Sequence, residues 1–139
     1  MSRQFFAVLE GEQEVPPVQT IASGQASFRL SEDERMLQYR LTVNRLANFT
    51  KAHIHLGRRG VNGPIAAFLF GPVDPGITVS QGTVQGTLTQ ASLIGPLAGR
   101  PFSELIMEMN AGNTYVNVHT RQYPAGEIRG QISSAKTAG

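Results

Sequence analysis

Short runs in which apolar and polar residues alternate, separated by glycine and proline, are the feature that most constrains the fold of this chain. In "ASFRL", Ala26, Phe28 and Leu30 point one way, whereas Ser27 and Arg29 point the other way. A period of two is typical of β-strands with one buried face, and the 15 Gly and eight Pro provide turns between such strands. About seven or eight strands at this spacing predict an all-β fold, an antiparallel Greek-key β-sandwich or flattened barrel of the Ig-like kind.

Three further segments refine this organisation. We expect one strand in "MLQYRLTVNRL", a separate strand in "TKAHIHLG", and a short helix in "PFSELIMEMNAG", which Gly112 would end. No repeat or linker divides the chain, and 139 residues are enough for one hydrophobic core. We therefore predict a single domain over residues 1–139.

The composition argues against several classes of function. The chain has no cysteine, which removes disulfides, thiolate catalysis and cysteine-ligated metal sites. Its net charge of +2 is too small to predict binding to nucleic acid or to a membrane surface. No apolar stretch approaches the ~18 residues of a membrane span, and "MSRQFFAVLEGEQ" lacks the apolar core of a secretion signal. We expect a soluble protein that is cytoplasmic as written, or secreted or at the cell surface if a signal was removed.

The three histidines of the chain stand in two predicted strand segments. Alternation in "AHIHL" places His53 and His55 together on the face opposite the core, with their Cα atoms ~6.5 Å apart. The same alternation in "YVNVHT" turns His119, with Tyr115 and Asn117, away from the core. If the two strands are neighbours, three imidazoles meet at one point and could hold a metal ion. The alternative is that these histidines are solvated polar residues on an exposed strand face.

The ligand type limits the choice of metal. Three neutral imidazoles with an open position suit copper or zinc, and copper binds more tightly in the general order of divalent metals. An iron oxygenase site would need a carboxylate as well, and no acid adjoins the His-x-His pair. Glu127 is the acid nearest to the segment of His119 and could orient a ligand.

Charged residues follow both histidine motifs. Four arginines could form a cationic rim that attracts small anions: Arg58, Arg59, Arg121 and Arg129. We interpret the first two as solubilising surface charges, whereas Arg129 lies between glycines that would let backbone or a ligand come close. We also interpret Glu12 and Glu14 in "GEQEVPP" as solvated charges before a proline edge. The alternatives are that these two acids fold over the site or pair with the first two arginines.

The combination of "GEQEVPPV", "HIHLG" and "NVHTRQYPAGEIRGQ" resembles a single CHRD domain, the module named after the chordins. The resemblance covers roughly residues 4–133 of the chain. It implies a Greek-key β-sandwich, but a fold alone does not imply a function.

A second resemblance concerns the site. A His-x-His pair, a later histidine and a final arginine are similar in arrangement to the copper-containing superoxide dismutases, which share this architecture. This resemblance implies His53, His55 and His119 as copper ligands and Arg129 as the catalytic arginine that guides superoxide. No histidine is left to bridge copper to zinc, and cysteine is absent, so zinc is not expected. Protons would then come from water or from a polar neighbour: Tyr115, Asn117, Tyr123 or Glu127.

The predicted function is therefore that of a copper-only superoxide dismutase, which converts superoxide, its small anionic substrate, to oxygen and hydrogen peroxide. The main alternative is a CHRD module that binds copper without catalysis or serves protein interaction at a surface. A further alternative is a zinc hydratase or hydrolase with a metal-bound water. The sequence leaves the oligomeric state open, with a homodimer among the expected forms.

Overall fold

A computed structural model describes residues 2–134, so residue 1 and residues 135–139 of the predicted domain lie outside the described part. Within that part, eight strands and one α-helix follow one another along the chain: β1 (Gln4–Glu10), β2 (Ser23–Leu30), β3 (Leu37–Leu56), β4 (Ile65–Phe70), β5 (Ile77–Leu88), α1 (Phe102–Asn110), β6 (Thr114–Thr120), β7 (Ile128–Gln131) and β8 (Ser133–Ser134). Short 3₁₀ turns lie at Gly11–Gln13, Gln90–Ser92 and Gly95–Leu97. No helix among residues 2–134 has the length and apolar character needed to cross a membrane.

Five strands close into a ring in which every pairing is antiparallel. The order is β2-β1-β7-β6-β3, and β3 pairs again with β2. β4 and β5 pair with β3 outside this ring, and β8 pairs with β1. The predicted all-β, antiparallel sandwich or flattened barrel is confirmed. Closure of the ring places β3 and β6 side by side, which is the condition that the histidine prediction required.

β3 is one strand of 20 residues, whereas the sequence predicted two. Arg45 and Asn48 interrupt its regular course, each with a positive φ angle of 53°. The register against β5 shifts at this point, between Leu46 and Phe49. The first part of β3 pairs with β2 and β5, and the last part pairs with β4 and β6. The prediction of two strands was wrong because the left-handed residues bend β3 without ending it.

Alternate residues of the ring strands form the hydrophobic core. Phe5, Leu9 and Ile54, for example, are completely buried. β6 departs from this pattern because all seven of its residues are buried. Val116 and Val118 belong to the core, so the opposite face of β6 is covered as well. That second covered face carries Tyr115, Asn117 and His119.

The short helix α1 lies against the core between β5 and β6. Leu105, Ile106 and Met109 form its buried face. Gly112 follows the helix with a φ angle of +73°, a left-handed conformation that glycine adopts without strain. The N–H of Gly112 donates to the carbonyl of Met109. The predicted helix and its glycine end are confirmed.

Gly130 allows β1 and β7 to approach closely, which suggests a test of this packing. A Cβ atom at Gly130 would lie 2.3 Å from the carbonyl oxygen of Val8, a backbone atom that cannot turn aside. We predict that Gly130→Ala lowers the free energy of unfolding by about 2–3 kcal/mol, because β7 must shift. Urea unfolding followed by circular dichroism measures this. Gly82→Ala is the matched control, since its Cβ would first meet the side chain of Val79 at 3.2 Å. Equal losses in both variants would contradict the prediction.

Candidate metal centre

The three histidines lie together on the covered polar face of the β3–β6 ladder. One nitrogen from each of His53, His55 and His119 lies within 4.8 Å of the other two. The side chains are only 1%, 7% and 7% exposed, respectively. The interpretation of these residues as solvated polar groups on an exposed face is therefore wrong, because loops cover this face of the ladder. A buried group of this kind could hold a metal ion.

Backbone carbonyls fix the tautomers of two of the imidazoles. Nδ1 of His55 lies 2.9 Å from the carbonyl oxygen of Gly63, and Nδ1 of His119 lies 2.9 Å from that of Pro124. A carbonyl oxygen only accepts hydrogen bonds, so both Nδ1 atoms carry the proton. The Nε2 lone pair of each ring is therefore available to a metal. A carbonyl contact of this kind is the usual way in which proteins orient a metal-binding histidine.

The imidazole nitrogens lie at a spacing that fits a metal ion, and two of them are within hydrogen-bond distance of each other. Nδ1 of His53 lies 3.2 Å from Nε2 of His119. Two nitrogens at metal–nitrogen distances of 2.0–2.1 Å in a tetrahedral site would be about 3.3 Å apart. Among the described residues, the Nε2 atoms of His53 and His55 are buried without a hydrogen-bond partner. Leaving a buried polar atom unpaired costs about 1–3 kcal/mol. At His55 a metal bound to Nε2 would remove this cost, because Nδ1 of that ring is already held by Gly63.

All three imidazoles are held in the neutral form that binds metals. Burial lowers the pKa of His53 to about 3, helped by the fields of the other two imidazoles and of Lys51. Burial also lowers the pKa of His55 to about 4, although the bond to Gly63 opposes the shift. The pKa of His119 is lowered for the same reason. Protons therefore do not compete for these nitrogens at neutral pH.

An aromatic stack joins the site to the buried arginine. The rings of His55 and Tyr115 are stacked with centroids 4.8 Å apart. The Cζ atom of Arg129 lies 3.5 Å from the centroid of the same tyrosine ring. Because β6 lies between β3 and β7, the imidazole and the guanidinium approach Tyr115 from opposite sides. The ring of Tyr115 thus lies between the positive charge of Arg129 and His55, a candidate ligand.

Arg129 also holds the loop that orients His55. Its side chain is only 1% exposed. It donates to Oδ1 of Asn62 at 3.0 Å and to the carbonyl oxygens of Arg58 and Val61. These contacts anchor the loop between β3 and β4, which also contains Gly63. The role of Arg129 as a guide for superoxide stays a prediction. Its hydrogen bonds also hold the loop that orients His55.

The other residues predicted for the site occupy different environments. Glu127 is buried and accepts hydrogen bonds from Thr20, Thr120 and Gln122 at 2.6–3.0 Å. The hydroxyl of Tyr115 accepts a hydrogen bond from the N–H of Gly63. The amide of Asn117 donates to the carbonyl of Ala125. Tyr123 is partly exposed. Only Tyr115 and Asn117 therefore lie in the ladder beside the histidines, and the roles of all four in proton supply stay predictions.

The arginines on the loops are surface residues. Arg58, Arg59 and Arg121 are exposed. Arg59 donates to the side chain of Gln13. The interpretation of the first two as surface charges is confirmed.

Sequence reasoning missed one charged residue near the site, Lys51, and preferred the wrong alternative for another, Glu14. Lys51 is half-buried, pairs with His119 in the β3–β6 register and therefore shares its face. Since Lys51 precedes His53 by two residues, the alternation of the strand contained the signal. Glu14 is only 5% exposed, whereas Glu12 is exposed. The prediction that both acids are solvated was wrong for Glu14, because the 3₁₀ turn Gly11–Gln13 directs it inward.

Comparison with known proteins gives a family but no individual relative. The family model of the CHRD domain matches residues 5–132, a range that contains all three histidines and reaches from β1 to the end of β7. A search of curated proteins finds no match.

The lowered pKa values predict acid lability in the metal-free protein. A folded-state pKa of about 4 for His55, against about 6.5 in the unfolded chain, means that the unfolded chain takes up the proton first. The stability that depends on neutral His55 is present above pH 6.5 and is lost as the pH falls towards 4. We predict that the free-energy difference between the original protein and His55→Gln shrinks by up to about 3 kcal/mol across this range. Urea unfolding at several pH values measures it, and a pH-independent difference would contradict the prediction.

Proposed function

This chain belongs to the CHRD domain family, and we propose that its three-histidine group binds copper and that the loaded protein is a superoxide dismutase. The observation that carries the proposal is the close grouping of the three imidazoles: one nitrogen from each lies within 4.8 Å of the other two, and Nδ1 of His53 lies within hydrogen-bond distance of Nε2 of His119, at 3.2 Å. The donor set consists of imidazoles alone. For such a set, the general order of divalent metals favours copper over zinc.

The reaction places modest demands on the residues of the chain. Two superoxide anions and two protons give one oxygen molecule and one hydrogen peroxide. Bound copper would supply one-electron exchange between its Cu(II) and Cu(I) states. The three imidazoles add no charge to the site, so they suit both states of the ion. The carbonyls that hold His55 and His119 keep the ligands in place without rearrangement.

Fixed positive charges would attract the anionic substrate. The guanidinium of Arg129 is immobilised against Tyr115. Lys51 lies half-buried on the histidine face of β3. A cationic site in a protein surface raises the local concentration of small anions and their rate of encounter. Lys51 is the more accessible of the two charges, so we assign it the larger part in attracting superoxide.

The residues present argue against a paired copper–zinc site. All three histidines of the chain belong to this one group. Within residues 2–134 it is the single group of three or more potential metal-binding side chains whose ligand atoms lie close together. A zinc-free centre is therefore part of the proposal.

The burial of the imidazoles favours a second candidate, a module that holds copper without turnover. The ring of Phe68, itself exposed, packs edge-on against the buried His53 with centroids 4.4 Å apart. A site so enclosed could store copper rather than exchange substrate. The two candidates are distinguished by whether the copper-loaded protein turns over superoxide or only binds copper stoichiometrically.

We predict that His119→Ala abolishes tight copper binding, because it removes one of three ligands and the partner of His53. Copper content after desalting, with competition by zinc, measures this. Arg121→Ala is the control, since it alters an exposed neighbour on the following loop. Unchanged copper content in His119→Ala would contradict the site assignment, and a preference for zinc would favour a hydrolytic centre.

We predict rapid dismutation by copper-loaded, desalted protein in the presence of a chelator that silences free copper, with the metal-free protein as a blank. The rate should fall as salt rises. Lys51→Gln should lower the rate at low salt roughly 3- to 10-fold and flatten the salt dependence. Arg35→Gln, an exposed arginine in the β2–β3 turn, should change neither. Bound copper without activity above the blank would contradict the dismutase proposal and favour the module that holds copper without turnover.

A further inference from the structure

Two buried oxygen atoms without hydrogen-bond partners meet beside the metal centre. Among the described residues, Oε2 of Glu14 and Oδ1 of Asn117 are both buried and unpaired. Both atoms press against Gly126, where a Cβ atom would lie 2.6 Å from the first and 2.5 Å from the second. Glycine is required at this position, which also has a φ angle of +126°. The two oxygens are therefore neighbours across the same glycine.

A proton on one of these two oxygens would give both of them a hydrogen-bond partner. Two acceptors cannot bond to each other, and an ionised carboxylate has no donor to offer. The amide nitrogen of Asn117 donates to the carbonyl of Ala125 at 3.3 Å, so this bond leaves Oδ1 available to another donor. A neutral Glu14 could donate its proton to this oxygen and satisfy both atoms at once. The unpaired atoms thus indicate the protonated form of the acid.

The electrostatics around Glu14 also favour its protonated form. Burial raises the pKa of Glu14 to about 7, and the field of Arg129 on β7 opposes the shift without cancelling it. The other neighbours, Asn117 on β6 and Gly126 on the loop before β7, carry no charge. Burial therefore outweighs the single cation that faces this carboxyl.

We propose that Glu14 is held as a buried neutral acid, bonded through its proton to Oδ1 of Asn117, and that it supplies a proton to the reaction at the three-histidine centre. The second part rests on the proposed function. Reduction of one superoxide to hydrogen peroxide takes up one electron, which the other superoxide provides, and two protons. The Oε2–H bond of Glu14 breaks, an O–H bond forms on the reduced dioxygen, and the carboxylate is reprotonated from solvent. The second proton comes directly from water.

The position of Asn117 connects the acid to the ligands. Asn117 is the register partner of His53 in the β3–β6 ladder. It also precedes His119 by two residues on the same strand, so it shares the face of both histidines. Glu14, which lies outside the ladder, shares Gly126 as a neighbour with this asparagine. Glu127, by contrast, is occupied by three donors from other residues. Glu14 is therefore better placed to release a proton than the acid that the sequence suggested.

The protonation state can be tested without copper. Infrared spectroscopy of the metal-free protein at pH 5.5 should show the carbonyl band of a buried protonated carboxyl, and the band should fade as the pH rises through about 7. Glu14→Gln should remove this band. Glu12→Gln, an exposed acid in the same turn, should leave it in place. A spectrum unchanged by Glu14→Gln would overturn the assignment, whether or not the protein is a dismutase.

Stability gives an independent measure of the same ionisation. A folded-state pKa of about 7, against 4.5 in the unfolded chain, means that stability due to neutral Glu14 is present below pH 4.5 and is lost as the pH rises towards 7. Glu14→Gln cannot ionise, so its stability relative to the original protein should increase across this window. A constant difference between the two proteins would count against the buried acid.

The proton supply is tested with copper-loaded protein. Glu14→Gln should keep its copper but lose about 100-fold in rate at pH 7, the scale of one positioned acid. The ionisation near pH 7 should also vanish from its pH–rate profile, whereas Glu12→Gln should keep both rate and profile. An unchanged rate and profile in Glu14→Gln would overturn the proton-supplying role. Absence of dismutation in the original protein would remove that role together with the proposed function, and the infrared result would still decide whether Glu14 is a neutral acid.

Discussion

The hydrogen bonds from two buried imidazoles to backbone carbonyls are the interactions on which the rest of the site depends. Burial of three histidines on a strand ladder is costly unless their ring nitrogens are used. Gly63 and Pro124 accept hydrogen bonds from one nitrogen in each of two rings. The other nitrogen of His55 has no hydrogen-bond partner, and that of His119 faces Nδ1 of His53. These carbonyls belong to two loops that cover the ladder. The loops therefore enclose the site and orient its ligands at the same time.

The positive and acidic groups around the histidines follow from this enclosure. Arg129 is buried because its guanidinium satisfies carbonyls of the loop between β3 and β4 and stacks on Tyr115. Its charge then contributes to the low pKa of His55 and to the field on Glu14. The loop between β3 and β4, the guanidinium of Arg129 and the neutral imidazoles are thus coupled. A substitution of Arg129 would affect both the histidine ligands and the buried acid Glu14.

Much of this site follows from the period of two in the sequence. The alternation in "AHIHL" and "YVNVHT" predicts which residues share a face, and the pairing of β3 with β6 brings those faces together. The same alternation would also have found Lys51. It could not find Glu14, because a 3₁₀ turn, not a strand, directs that side chain inward. Nor could it show that β3 runs through the bend at Arg45 and Asn48, since backbone conformation there depends on the partners on both sides.

We propose that the three histidines form a metal site that is already built in the folded chain. A crystal structure of the protein grown with copper tests this most directly. We predict one ion bound by a nitrogen from each of His53, His55 and His119, with the contacts from His55 to Gly63 and from His119 to Pro124 retained. An ion bound elsewhere, or imidazoles that have turned away from those carbonyls to reach it, would contradict the claim.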